Sequence, residues 1–187
     1  MNVQDRREIS REYFSRERLA EHHFRSFNAF LDRGMQEVVD EKATIDTDIG
    51  DKEGEEPVYV ELGDVRVVTP RVREADGSEE LLYPQEARLR NITYAAPVFM
   101  EMAIIKGGEE EEERVVDQTE TKIGRMPIMV GSNKCNIAGF TRNELIDIGE
   151  DPADPGGYFI VNGSERVLMT SEDLAPNKIL AETDTKY

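Results

Sequence analysis

The period of the apolar residues changes near residue 57, and this change constrains the fold most. Between residues 15 and 40, apolar side chains recur every three or four positions, as in an amphipathic helix. Further along, short β-branched and aromatic runs are separated by Gly, Pro and Asn, as in residues 58–68, 98–105 and 158–169. A helix followed by closely spaced strands predicts an α+β fold with a mostly antiparallel sheet.

The N-terminal segment is predicted to contain one long amphipathic helix over residues 15–40, with Ser15 as its N-cap. Its apolar stripe contains Leu19, His23, Phe27, Phe30, Leu31, Gly34 and Val38. Because Gly costs about 1 kcal/mol relative to Ala inside a helix, Gly34 indicates a close neighbour. We expect residues 1–45 to form this helical segment and residues 46–187 to form the β-rich part of the chain.

The strands are predicted from their apolar runs and turn residues. Val58–Leu62 and Val65–Val68 are expected to form a hairpin with a turn at Gly63–Asp64. The other predicted strands are Val98–Ile105, Arg114–Ile123, Tyr158–Val161 and Glu165–Met169, with Asn162–Gly163 as the last turn. Five carboxylates in a row, Glu109–Glu113, predict a solvent-exposed loop tip.

The chain is strongly acidic, with 40 Asp and Glu against 23 Lys and Arg and a net charge of −17. Sixteen of the cations are Arg, and the segments 1–33 and 64–92 have net charges near zero (+1 and −1). Such a surface is typical of proteins that work in high salt, where the Debye length falls to about 3 Å at 1 M. Arg retained in an acidic chain indicates a working surface, although pairing with local carboxylates is the alternative.

Several classes of enzyme site have no counterpart in the sequence. It contains no phosphate-binding glycine loop, no zinc-protease motif and no cluster of aspartates for two magnesium ions. The single cysteine, Cys135, excludes an internal disulfide and is expected to be a buried, inert thiol. A polar N-terminus and the absence of long apolar runs predict a cytoplasmic protein.

Three long motifs nevertheless match a known family. They are Leu82–Tyr94 (LYPQEARLRNITY), Lys122–Met129 (KIGRMPIM) with Cys135, and Asp154–Leu168 (DPGGYFIVNGSERVL). In this order the chain resembles the second-largest subunit of multisubunit RNA polymerase, in its archaeal and eukaryotic form. With its acidic surface, it is most similar to B″, the N-terminal half of the split form that occurs in halophilic archaea.

The resemblance implies a non-catalytic part of DNA-directed RNA polymerase, a nucleotidyltransferase, that contributes cleft wall, scaffold and nucleic-acid binding. It implies that residues 46–187 belong to the protrusion domain, truncated before or at the lobe insertion. The implied partners are the other polymerase subunits (B′, A′ and the assembly platform), and the DNA template and RNA. No cofactor is expected in this chain, since in this family the largest subunit holds the catalytic Mg²⁺.

Four arginines are candidates for contact with nucleic acid or a partner protein. Alternation around Leu89 predicts that Arg88 and Arg90 share one face of a strand, where two guanidinium groups can hold phosphate oxygens. A structural ion pair with Glu86 or another carboxylate is the alternative. Arg125 and Arg166 are the other two, and the resemblance implies that Arg166 lies near the path of the nucleic acid. The alternative for Arg166 is pairing with Glu165 or the opposite strand.

A second class of function remains open at this point. The acidic segments 34–63 and 109–113 also fit a non-enzymatic interaction domain that binds a basic protein partner. Co-purification with polymerase subunits distinguishes the two hypotheses.

The charge excess generates a prediction about salt. We expect the unfolding midpoint of the chain to rise as KCl is increased, because screening weakens the mutual repulsion of the carboxylates. Thermal unfolding in a KCl series measures this, with sucrose of matched osmolarity as the control for solute exclusion. Undiminished stability at low ionic strength would contradict the high-salt interpretation.

Overall fold

The fold is α+β, with helices near the N-terminus and a mostly antiparallel sheet after them. The computed structural model describes residues 2–16, 19–47, 49, 57–107, 114–171, 173 and 177. The predicted loop tip at Glu109–Glu113 lies outside these ranges. Within them, no helix is both long and apolar enough to cross a membrane.

The prediction of one helix over residues 15–40 is wrong in two respects. A separate helix, α1, runs over Val3–Arg16 and includes Ser15, which is therefore not an N-cap. The next helix begins only at Glu21 and contains a π-helical turn at Phe30–Gly34. This turn divides it into α2 (Glu21–Ala29) and α3 (Met35–Lys42).

The π turn also changes which side chains face the core, because it inserts an extra residue into the helical repeat. Phe24 is buried, and Phe27, Leu31 and Met35 are partly buried against the core. Three members of the predicted stripe, Leu19, Phe30 and Val38, are exposed instead. The close neighbour of Gly34 is the ring of Phe30, whose Cδ2 would lie 3.1 Å from an added Cβ.

The main sheet has four antiparallel strands in the order β1-β2-β5-β6. These strands are β1 (Thr44–Asp46), β2 (Val58–Val67), β5 (Ala95–Lys106) and β6 (Arg114–Pro127). Two small hairpins pair β3 (Arg71–Arg73) with β4 (Glu79–Leu81), and β7 (Phe159–Val161) with β8 (Ser164–Arg166). Two short helices, α4 (Pro84–Leu89) and α5 (Arg142–Asp147), complete the described elements.

The predicted hairpin turn at Gly63–Asp64 is instead a bulge inside the single strand β2. The side chain of Gln36 binds the backbone on both sides of the bulge. Its Nε2 donates to the carbonyl of Gly63 at 3.3 Å, and its Oε1 accepts from the N–H of Val65 at 2.8 Å. The pairing with β5 resumes after the bulge, so the strand continues in the same direction, and Gln36 satisfies backbone groups at the bulge.

The core lies between the inner face of the sheet and the segments that follow it. Its central side chain is Tyr94, which is fully buried. The Tyr94 hydroxyl lies 3.3 Å from Sγ of Cys135 and accepts from the N–H of Asn136 at 2.9 Å. Burial raises the pKa of the Cys135 thiol, so the thiol stays protonated at neutral pH, in agreement with the expected inert role.

The last hairpin is fixed to the backbone around Tyr94. The predicted turn is confirmed, since Asn162 and Gly163 both have positive φ (51° and 76°). The N–H of Gly163 donates to the carbonyl of Ile92 at 3.1 Å, and the N–H of Tyr94 donates to the carbonyl of Ile160 at 3.0 Å. The strand after the turn is shorter than predicted, because β8 ends at Arg166.

Gly163 is expected to be essential to this attachment. A Cβ at this position would lie 2.8 Å from Cα of Asn91 and 3.1 Å from the carbonyl oxygen of Arg88. Together with the left-handed backbone, Gly163→Ala should therefore lower the free energy of unfolding by about 2 kcal/mol or more. Gly124→Ala is the matched control, since an added Cβ there meets nothing within 4 Å. Denaturant unfolding in high KCl measures both variants, and equal losses would contradict the packing argument.

Candidate nucleic-acid interface

The first motif folds as a helix, which corrects the predicted strand. Tyr83 is extended (φ −99°, ψ 154°), and Pro84 occupies the first helical position, where its missing N–H costs nothing. The helix α4 then runs to Leu89, and Arg90 is its C-cap. Arg88 and Arg90 therefore do not share a strand face, and their side chains enter two separate networks.

Arg88 is bound by a cluster of acidic and phenolic groups from two later segments. Its Nε donates to Glu165 Oε1 at 3.0 Å, and its Nη1 lies 3.5 Å from Glu150 Oε2. Its Nη2 lies 3.4 Å from Asp154 Oδ2 and also donates to the hydroxyl of Tyr158, which itself donates to Asp154. We call these five residues the Arg88 cluster. It joins α4 to the bend at residues 150–158 and to β8.

Glu150 is the most deeply buried member of the Arg88 cluster, with 3% of its side chain exposed. Burial raises the pKa of this carboxyl, although the N–H of Gln85, 2.6 Å away, and the Arg88 guanidinium both oppose the rise. Burial alone would lower the pKa of Arg88, but its interactions with Tyr158, Glu165 and Glu150 raise it above the ordinary value. Arg88 is therefore a permanent cation held between fixed acceptors.

Arg90 is bound by two carboxylates nearer the surface. Its Nη1 lies 2.6 Å from Glu74 Oε1 and 2.7 Å from Glu86 Oε1. Hydrogen bonds to Glu74 and Glu86 raise the pKa of the guanidinium. For both Arg88 and Arg90 the geometry thus matches the alternative of a structural ion pair. Arg90 pairs with Glu74 and Glu86, whereas Arg88 pairs with carboxylates that are distant in the sequence.

Arg125 and Arg166 have a different environment. Arg125 is exposed, and its Nη2 donates to the carbonyls of Arg71 (2.9 Å) and Ala95 (3.2 Å). Arg166 is exposed on β8, and no hydrogen bond or ion pair joins its side chain to another residue in the described ranges. The neighbouring Glu165 points to Arg88 instead. Two of the four candidate arginines, Arg125 and Arg166, therefore have no carboxylate partner in the part of the chain that the structure describes.

The partners of Arg88 were missed by sequence reasoning. Glu150 and Asp154 are more than sixty residues from Arg88, and nothing local marks either of them as a partner. Tyr158 lies four residues after Asp154, a spacing that hints at a contact within the bend but not at Arg88. The only usable signal was that Asp154, Tyr158 and Glu165 fall inside the third motif.

Comparison with known proteins gives the family. A family model described as "RNA polymerase beta subunit" matches residues 18–181. The Rpo2N subunit of DNA-directed RNA polymerase from Halobacterium salinarum is 82% identical over all 187 residues. Rpo2N of Methanocaldococcus jannaschii is 45% identical over 94% of this chain, and Rpo2 of Saccharolobus shibatae is 44% identical over 98% of it.

The chain belongs to the RNA polymerase beta subunit family. It spans 36% of the Halobacterium relative, 34% of the Methanocaldococcus relative and 15% of the Saccharolobus relative. The resemblance drawn from the three motifs is therefore confirmed. All three motifs fall inside the matched range, as does the Arg88 cluster.

The Arg88 cluster generates a stability prediction for this family member. Arg88→Ala leaves Glu150 buried without its cation and removes the positive charge that Asp154 and Glu165 share, so the free energy of unfolding should fall by about 3 kcal/mol. Arg90→Ala is the matched control and should cost clearly less, because its partners are more exposed and more easily hydrated. Denaturant unfolding of the two variants measures the difference, and an Arg88→Ala loss no larger than that of Arg90→Ala would contradict the assigned role.

Proposed function

We propose that this chain is a non-catalytic part of DNA-directed RNA polymerase that forms cleft wall and scaffold for DNA-templated RNA synthesis. The observation that carries the proposal is 82% identity along the whole chain to a protein named as part of that enzyme. In this proposal, residues 1–45 are the mainly helical segment, and residues 46–187 are the β-rich part of the protrusion. The protein works in the cytoplasm.

The partners follow from the same proposal. B′ supplies the remainder of the second-largest subunit, while A′ and the assembly platform complete the enzyme. The catalytic Mg²⁺ belongs to the largest subunit. In support, the matched region is 15% of the Saccharolobus relative but 36% of the Halobacterium relative, which fits an undivided form and a split form of one protein.

Within this assembly, Arg166 is the best candidate in the third motif for contact with the nucleic-acid backbone. Its guanidinium is exposed, and the adjacent carboxylate, Glu165, is already bound to Arg88. An arginine in this state has all of its donors available for phosphate oxygens. Contacts of this kind do not depend on base sequence and weaken as salt rises.

Purification of the full-length subunit through an affinity tag tests the assembly. We expect B′, A′ and the platform subunits in stoichiometric amounts. Recovery of a basic protein without polymerase subunits would instead favour the acidic interaction domain, which no specific observation in the structure supports.

The role of Arg166 is tested within the purified polymerase. Arg166→Ala should shorten the lifetime of the open complex without changing subunit stoichiometry, because it removes a phosphate contact and no structural ion pair. Arg33→Ala is the matched control, since Arg33 is also exposed and has no carboxylate partner among the described residues. An unchanged lifetime in Arg166→Ala, or equal shortening in both variants, would leave Arg166 without the proposed contact.

A further inference from the structure

The outer face of the main sheet carries several cations. Lys122 and Arg125 belong to the second family motif, whereas Arg66 lies outside all three motifs. Directly paired residues share one face of an antiparallel sheet. Val98 and Met100 are buried on the inner face, so Pro97 and Phe99 point outward, and so do their β6 partners Arg125 and Lys122.

The side-chain contacts on this face agree with the register. Arg66, the β2 partner of Phe99, has its guanidinium carbon 5.2 Å from the centre of the Phe99 ring. The same guanidinium binds both carboxylate oxygens of Glu120 on β6, at 2.7 and 2.9 Å. Arg66, Phe99 and Lys122 therefore form one row across three strands.

Arg71 extends the positive charge beyond the edge of that row. Arg125 lies one outward position along β6 from Lys122, and its Nη2 contacts the carbonyl of Arg71 at 2.9 Å. The first residue of β3 is thereby held beside the sheet. The Arg71 side chain is exposed. Arg73 has the same orientation on β3, but Glu79 stands directly opposite it in the hairpin and offsets its charge.

Three of these cations lack a carboxylate counter-ion. No carboxylate of the described ranges lies within 4 Å of the charged groups of Arg71, Lys122 or Arg125. We call these three residues the basic face. Acidic residues on the same face of the sheet are Glu120, which is bound by Arg66, Glu101, which stands opposite Glu120, and Glu61 on β2, which pairs with Ala103 further along β5.

The basic face has hydrogen-bond donors that remain available to a ligand. Arg125 donates to its two carbonyls through Nη2 alone, so its Nε and Nη1 remain available as donors. Such donors match the oxygens of a phosphate, while the carbonyl contacts hold the guanidinium in place. Lys122 adds a point charge on the same strand, beside the ring of Phe99.

We infer that the basic face, formed by Arg71, Lys122 and Arg125, binds the phosphodiester backbone of a nucleic acid. The identity of that nucleic acid as polymerase DNA or RNA rests on the proposed function. The site is separate from Arg166, which lies on the β7–β8 hairpin rather than on the main sheet. The chain has a net charge of −17, so most of its surface repels phosphate. The unpaired cations of the basic face attract phosphate locally.

Salt-dependent binding tests the inference, first on the full-length protein alone and then on the assembled polymerase. The affinity for labelled duplex DNA, and in a parallel arm for labelled single-stranded RNA, is measured over a KCl series. Arg71→Gln and Lys122→Gln should each reduce the slope of log affinity against log salt by about 0.9 for the duplex or about 0.7 for the single strand, whichever the site holds. Arg125→Gln is expected to do the same, since glutamine keeps one donor for the carbonyls.

Arg142→Gln is the matched control, because Arg142 is exposed, has no carboxylate partner among the described residues and lies on α5. Unchanged slopes for Arg71→Gln and Lys122→Gln in both arms would overturn the inference, as would an equal reduction in Arg142→Gln. Loss of subunits from the assembly with unchanged slopes would overturn it in favour of a protein interface. A reduced slope in a full-length protein that does not join a polymerase would uphold the basic face and reject the proposed function.

Discussion

The cation of Arg88, enclosed by Glu150, Asp154, Glu165 and Tyr158, is the interaction on which the arrangement of the first and third motifs depends. These acceptors come from a bend and a hairpin that are distant in sequence from α4. Without the cation, three carboxylates would converge in a partly dry volume, which is strongly unfavourable. When the cation is present, the Arg88 guanidinium holds α4, the bend at residues 150–158 and β8 in fixed positions relative to one another.

Arginine therefore has two distinct uses in this chain. Arg88 and Arg90 form ion pairs with carboxylates of this chain, whereas Arg125 and Arg166 have exposed guanidinium donors. The distinction matters for a protein of this charge in high salt. Screening over about 3 Å weakens interactions between exposed charges, while partly buried pairs are screened much less. The Arg88 cluster is thus suited to hold the fold at salt concentrations that would weaken a purely surface pair.

The sequence was sufficient for the fold class, the family and the last hairpin turn, because each rests on local chemistry: apolar period, long motifs, and the Asn162–Gly163 pair. Sequence-based prediction was wrong where the local structure depends on contacts with residues distant in the sequence or on an irregular helical turn. The bulge at Gly63 looked like a turn because Gln36, which satisfies its backbone, is on another element. The stripe on the N-terminal helix was misassigned because a π turn changes the phase and leaves no clear local signal. Arg88 and Arg90 were assigned to a strand because alternation around Leu89 also fits the end of a short helix.

The same limits explain why Arg125 was predicted as a candidate by itself, without the other two residues of the basic face. Arg71 and Arg125 are 54 residues apart in the sequence, and they meet because the side chain of Arg125 on β6 donates to the carbonyl of Arg71 on β3. Backbone hydrogen bonds also connect β6 to the β7–β8 hairpin that carries Arg166. The N–H of Ile128, just after β6, donates to the carbonyl of Tyr94, and the N–H of Tyr94, just before β5, donates to the carbonyl of Ile160 in β7. The two sets of available guanidinium groups are therefore held by one run of backbone hydrogen bonds through the buried Tyr94. A nucleic acid that contacts both sets would therefore span the strand β6, the residue Tyr94 and the β7–β8 hairpin.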